Sequence, residues 1–190
     1  MKKEFTIIAG VDVSSTKLDF CIIEDANSKQ HKHGVVTNDH KGIRKLITTF
    51  EKNSVDLVAM ENTGVYSIPL CFLLQEGKKD YSVIAPLEIK RSQGINRGKN
   101  DKADAKDIAL YAISHSHKIS LTSLPANDLL ELKLLLAERE KLVKSINIFK
   151  ATKVNEGYLP KDILKSVMAL NKKTLELLQK QLEKIEKLIQ

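Results

Sequence analysis

The 190-residue chain contains no tryptophan, four tyrosines and five phenylalanines. Base recognition by an aromatic stacking platform is therefore not expected of it. Were the partner a nucleic acid, lysine and arginine contacts to backbone phosphates would be the expected device. Cysteine is equally sparse. Cys21 and Cys71 each sit inside an apolar run, and both read as small core residues of a reducing compartment. No Cys/His spacing suggests zinc. The histidine pairs His31/His33 and His115/His117 have no third ligand nearby in the sequence. No apolar run approaches the roughly 20 residues that span a bilayer, and the start Met1-Lys2-Lys3-Glu4-Phe5 lacks the apolar stretch of a signal peptide. The expected location is the cytoplasm, with no membrane partner. Walker, Gly-x-Ser-x-Gly and Gly-x-Gly-x-x-Gly patterns are missing as well.

What is present begins with charge and core. Hydrophobic residues make up 42% of the chain, and the net charge is +7. A real core can form, and an anionic partner is favoured without being named. Residues 5–11 read as a buried strand delivering Asp12. Residues 17–24 read as a second strand, with Leu18, Phe20 and Ile22 on one face and Asp19 on the outer face. A short third strand is expected around His33–Thr37. Asn38-Asp39-His40 then caps a helix carrying Ile43, Leu46, Ile47 and Phe50. Val55–Met60 is a β-type run with Glu61 at its end, Thr63-Gly64 turns into a helix stopped by Gly77, and Tyr81–Ala85 is a strand closed by Pro86. Three strands followed by alternating helix and strand indicate an α/β domain with a mixed sheet. If the strand before Asp12 and the strand before Glu61 are parallel neighbours, the two acids meet at one sheet edge, where open α/β sheets place their sites.

The run Lys99-Asn100-Asp101-Lys102-Ala103-Asp104-Ala105-Lys106-Asp107 leads into apolar residues at helical spacing. Asp101 and Asp104 are three apart and so share one helix face. Two acids held together among lysines suit a magnesium site that handles a nucleic-acid phosphate. The same pattern also describes a solvated helix start, where acids are favoured by the helix dipole. Asp107 competes as a ligand but lies further inside the helix. Asp12 is also compatible with a turn residue, and Glu61 with a helix cap.

After Pro125 the composition shifts to Leu, Lys and Glu. One helix is expected from Asn127, with a stripe at Leu129, Leu132, Leu136, Val143 and Ile146. A second carries Met168, Asn171, Leu175, Leu178, Leu182, Ile185 and Ile189, in alternating steps of three and four that form a heptad seam with a polar interruption. A coiled coil is favoured over a plain helical hairpin folded onto the first domain. The expected domains are 1–124 and 125–190. The seam reaches Gln190 without a stop signal, so the second domain is expected to be truncated at its C-terminal end.

Gly10-Val11-Asp12-Val13-Ser14, Leu18-Asp19, Met60-Glu61-Asn62-Thr63-Gly64-Val65-Tyr66 and Lys99 through Ala109 together resemble the N-terminal domain of the DEDD transposases. This is the insertion sequence 110 family, which includes the Piv-type DNA invertases. Order and spacing agree over about residues 5–120, and the helical part resembles the family's coiled coil. The resemblance implies a RuvC-like, ribonuclease-H-like fold. It implies that Asp12, Glu61, Asp101 and Asp104 bind magnesium or manganese, and that the protein recombines DNA in a bacterial or archaeal cell, guided by a structured RNA. It also implies a homo-oligomer, dimer or higher, through the coiled coil. A further C-terminal domain with a nucleophilic serine is implied but has no counterpart in this chain. Lys90, Arg91, Arg97, Lys99 and Lys102 are the expected nucleic-acid contacts. The sequence departs from the family pattern at Ser15, where Lys is common, at Asn62 for Ala, at Ala85 for Asn and at Asn100 for Thr. None of these removes an acid.

Two other readings compete. Asp12-Val13-Ser14-Ser15-Thr16 has the look of the phosphate turn of an actin-like kinase or ATPase lobe, but Ser14 stands where a glycine would let backbone approach phosphate. A non-catalytic nucleic-acid-binding dimerisation module fits the excess of basic residues in both halves.

Overall fold

The computed structural model describes residues 5–24, 31–92, 101–151 and 161–190. The chain divides into two compact units, Met1–Leu124 and Pro125–Gln190.

The first unit is built on five strands: β1 Ile8–Val13, β2 Lys17–Ile23, β3 Lys32–Thr37, β4 Leu57–Glu61 and β5 Tyr81–Ile84. Their order in the sheet is β3-β2-β1-β4-β5. The first three form an antiparallel meander, whereas β4 runs parallel to β1 and β5 parallel to β4. The meander follows from the tight turn at Ser14–Thr16. Ser14 closes it by donating its backbone N–H and its hydroxyl to the Lys17 carbonyl at 3.0 and 2.9 Å.

Helices cover both faces, which is why the central strands are apolar on both sides. On one face, α1 (His40–Lys52) and α2 (Ile68–Glu76) bring Ile43, Leu46, Phe50, Leu70 and Leu74 against Ala9, Val11, Leu18, Phe20, Val58 and Met60. On the other, α4 (Asp101–Ser114) lays Ala105, Ile108, Ala109 and Ala112 over Ile8, Cys21, Ile23, Leu57 and Ala59. Gly10 makes that approach possible, because a Cβ there would press on the backbone of Ala105 and Ala109.

One element was not anticipated. Pro86 does not merely close β5 but opens a short helix, α3 (Pro86–Ser92), as a proline at the first helical position can. The outer edge of β5 is sealed by the segment after α4. Thr122 N–H donates to the Tyr81 carbonyl at 2.8 Å, and Val83 N–H donates to Thr122 Oγ1 at 2.9 Å.

The second unit is a helical pair, α5 (Asn127–Ala151) and α6 (Lys161–Ile189), in which Arg139 donates across to Glu186 Oε1 at 2.8 Å. On α6 the expected seam from Asn171 through Leu175, Leu178, Leu182, Ile185 and Ile189 is half-buried, while Met168 is exposed. The stripe expected on α5 needs correction. Leu129 and Leu136 are exposed, whereas the expected Leu132, Val143 and Ile146 are covered, together with Leu135, Arg139 and Leu142. Leucine fills positions 132 and 134–136, so more than one heptad register was available; packing against α6 selected between them.

Candidate active site

The β1–β4 register pairs Ile8 with Leu57 and Gly10 with Ala59. Continued two residues further, it sets Asp12 beside Glu61 at the carboxyl ends of two parallel strands. Side chains two apart share a sheet face, so both acids lie on the face covered by α4. Both are half-buried. The polypeptide leaves β4 through Gly64, whose φ of +67° is one that glycine adopts without strain, and Gly64 N–H donates to Asn62 Oδ1 at 3.1 Å.

Helix α4 runs antiparallel to β1. Ala105 and Ala109 meet Gly10, while Ile108, Tyr111 and Ala112 cluster with Ile8 and Leu57. The first turn of α4, with Asp101 and Asp104, is therefore at the Asp12 end of the strand. Asp104 is half-buried. Burial raises the Asp107 carboxyl above its ordinary range, the neighbouring charge of Asp104 raises it further, and Lys106 opposes both. Among the described residues, no three His, Cys, Asp or Glu side chains converge as a metal-binding group. The side chains of Asp101 and Lys102, and the whole of Arg97 and Lys99, lie outside the described residues.

Asp19 corrects the sequence reading. It is not on an outer face but buried, 5% exposed, directly opposite Asp12 in the β1–β2 register and on the same α4-covered side. Lys17 Nζ lies 3.1 Å from Asp19 Oδ2 and compensates its charge. Alternation along β2 placed Asp19 opposite the Leu18–Phe20–Ile22 face, but that far side is covered by α4, which no local pattern reveals.

Lys90 and Arg91 are exposed in the last turn of α3. This helix is anchored by buried Ile89 and by Tyr111 of α4, whose hydroxyl donates to Glu88 Oε2 at 2.9 Å. The donor set at the strand ends is made of carboxylate oxygens. That suits magnesium or manganese, hard cations that take a few carboxylates and keep several waters.

The sheet order β3-β2-β1-β4-β5, with an antiparallel meander, two parallel strands beyond it and helices on both faces, is the ribonuclease-H-like, RuvC-like arrangement expected from the sequence. Similar solved structures include Thermus thermophilus RuvC in complex with a Holliday junction substrate, at 13% identity and a TM-score of 0.49, covering 62% of this chain and 99% of that one. The fowlpox virus resolvase in complex with Holliday junction DNA matches at 14% identity and a TM-score of 0.38, covering 57% of this chain and 99% of that one. No curated relative matches. The family model of the DEDD transposases of the insertion sequence 110 type, described as a transposase, matches residues 9–153. The chain belongs to this transposase family.

Proposed function

We propose that this chain supplies the strand-cleaving centre of a DNA transposase, with Asp12, Glu61, Asp101 and Asp104 holding magnesium or manganese. The observation that carries the reading is the parallel pairing of β1 with β4, which sets Asp12 beside Glu61 at the α4 end bearing Asp101 and Asp104. A divalent cation bound there would neutralise charge on the phosphoryl oxygens of a DNA backbone. The chain's own part is to gather acids that would otherwise repel, and to keep them on rigid strand ends and a packed helix. Asp19, with its charge met by Lys17, holds the neighbouring position in β2 without adding a net charge. Lys90, Arg91, Arg97, Lys99 and Lys102 would contact the flanking phosphates. A structured guide RNA, a homo-oligomer formed through α5 and α6, and a bacterial or archaeal cytoplasm complete the reading. Full recombination would further require the serine-bearing domain that the family resemblance implies.

The test is strand cleavage of junction and duplex DNA by the intact transposase carrying Asp12→Asn or Asp104→Asn. Each substitution is expected to reduce cleavage at least about 100-fold, the scale of losing a major electrostatic contributor, while circular dichroism stays native. Wild-type turnover in either variant would overturn the assignment.

A further inference from the structure

The ladder between β1 and β4 ends at the pair Val11–Met60. Asp12 and Glu61 are the first residues past it. Beyond the ladder, a side chain links the two strand exits. Asn38, between β3 and α1, donates from Nδ2 to the Ser14 carbonyl at 2.7 Å and from the same nitrogen to the Tyr66 carbonyl at 3.1 Å. Ser14 is two residues beyond Asp12, and Tyr66 lies in the 3-10 turn Gly64–Ser67 that follows Glu61. We propose that Asn38 is a positioning residue, stapling the exit of β1 to the exit of β4 and thereby setting the separation of Asp12 and Glu61; this rests on the metal-site reading above.

Three observations support the staple. Asn38 is itself immobilised, because its backbone N–H donates to the Thr16 carbonyl at 2.9 Å and the next residue, Asp39, caps α1 by accepting from Gly42 N–H at 2.7 Å. Its chemistry is specific: an amide nitrogen carries two donor hydrogens in one plane, one for each carbonyl, which neither Asp nor Ser provides. Its other end has been given up, since Asn38 Oδ1 is buried with no hydrogen-bond partner. A buried acceptor without a donor is costly, and the nearby carbonyls require the nitrogen, not the oxygen, to face them. The sequence points to Asn38 only as part of a helix-cap signal. That the same residue reaches two distant turns is decided by the sheet order.

The experiment compares wild type, Asn38→Ala, Asn38→Leu and Asp12→Asn as whole chains, with two readouts. In amide hydrogen exchange, both Asn38 variants are expected to exchange at least about tenfold faster at residues 14–16 and 64–66, with the β1–β2 ladder unchanged. In calorimetric titration with Mn2+, they are expected to bind at least about tenfold more weakly than wild type, the scale seen when an orienting partner of a ligand is lost. Phe50→Leu, a core variant with no link to the site, is expected to lower the melting temperature and leave Mn2+ affinity intact. Should Leu at position 38 prevent folding, the Ala variant carries both readouts. Unchanged exchange at the two turns overturns the staple. Mn2+ affinity in the Asn38 variants within twofold of wild type, while Asp12→Asn abolishes binding, overturns its role at the site. Failure of wild type to bind Mn2+, or undiminished binding by Asp12→Asn, overturns the metal-site reading and with it that role, leaving the exchange data to judge the staple alone.

Discussion

Asp39 stands at the start of α1 with its carboxylate taking the Gly42 N–H, and that bond is the main reason its pKa lies below the ordinary 3.8; a hydrogen bond from Thr37 lowers it further, burial works the other way, and Lys41 assists. A carboxyl depressed by folding contributes stability at pH values above its unfolded pKa, and that contribution is lost as pH falls through the folded one. The melting temperature of Asp39→Ala is therefore expected to lie below wild type at pH 7, with the difference narrowing in acid; a constant gap across a pH series would contradict this. The two thiols behave in the opposite sense. Burial pushes both Cys21 and Cys71 up to about 11, opposed at Cys21 by Lys106. Because the thiolate is the reactive form, neither is expected to react with a disulfide reagent at pH 8 in the native protein. Both should titrate after unfolding, and rapid native labelling of either would show that its cover opens. Both cysteines were legible as core residues from their apolar neighbours alone.

Between β1 and α4 the interface depends on one missing methyl group. A Cβ at Gly10 would meet the Ala105 carbonyl and the Ala109 nitrogen, which are main chain and cannot rotate aside. Gly10→Ala is expected to cost about 3 kcal/mol, the upper range for overpacking a core, measurable by urea denaturation. Since α4 carries Asp104, the change should also weaken any function that needs the acids together. At the far edge, Thr122→Val removes the acceptor for Val83 N–H. The loss expected is about 1 kcal/mol, with faster hydrogen exchange confined to β5. Most strands and α1, α2 and α4 could be read from periodicity and turn residues, because each bears an apolar pattern matched to its own geometry. The short helix α3 could not, since seven residues beginning at Pro86 carry too little period to distinguish a helix from a turn.

Taken whole, the molecule is two units of different construction, a layered α/β unit and a helical pair. Each of the three core clusters in the first unit is assembled from residues within Met1–Leu124, so a chain of residues 1–124 is expected to unfold cooperatively on its own in thermal or urea melts. The net charge of +7 leads to a further expectation for DNA binding. The logarithm of the affinity should fall linearly with log salt concentration, and Lys90→Ala or Arg91→Ala should each reduce the slope by about one without changing sequence preference. A salt-independent affinity would remove the phosphate-contact reading. In the helical pair the α6 seam from Asn171 to Ile189 was legible from its alternating steps of three and four, although Leu170, Leu177 and Leu188 off the seam are apolar and exposed. The α5 stripe was legible at Leu132, Val143 and Ile146 but not in the leucine run 134–136, which offers several faces from which only the partner helix chooses.

The linear sequence determined most of the inventory: the strands and the helices other than α3, the acids at the ends of two of those strands and in the first turn of α4, and the cations that surround them in the sequence. These are local properties, set by side-chain chemistry and period. The tertiary structure decided which of these come together. The parallel pairing of β1 and β4 sets Asp12 beside Glu61, the path of α4 buries Asp19 against expectation, and the reach of Asn38 from the link between β3 and α1 joins two turns far apart in sequence. Such juxtapositions depend on sheet order and on which face a helix covers. Those choices are made by long-range packing free energy, which no single stretch of residues contains.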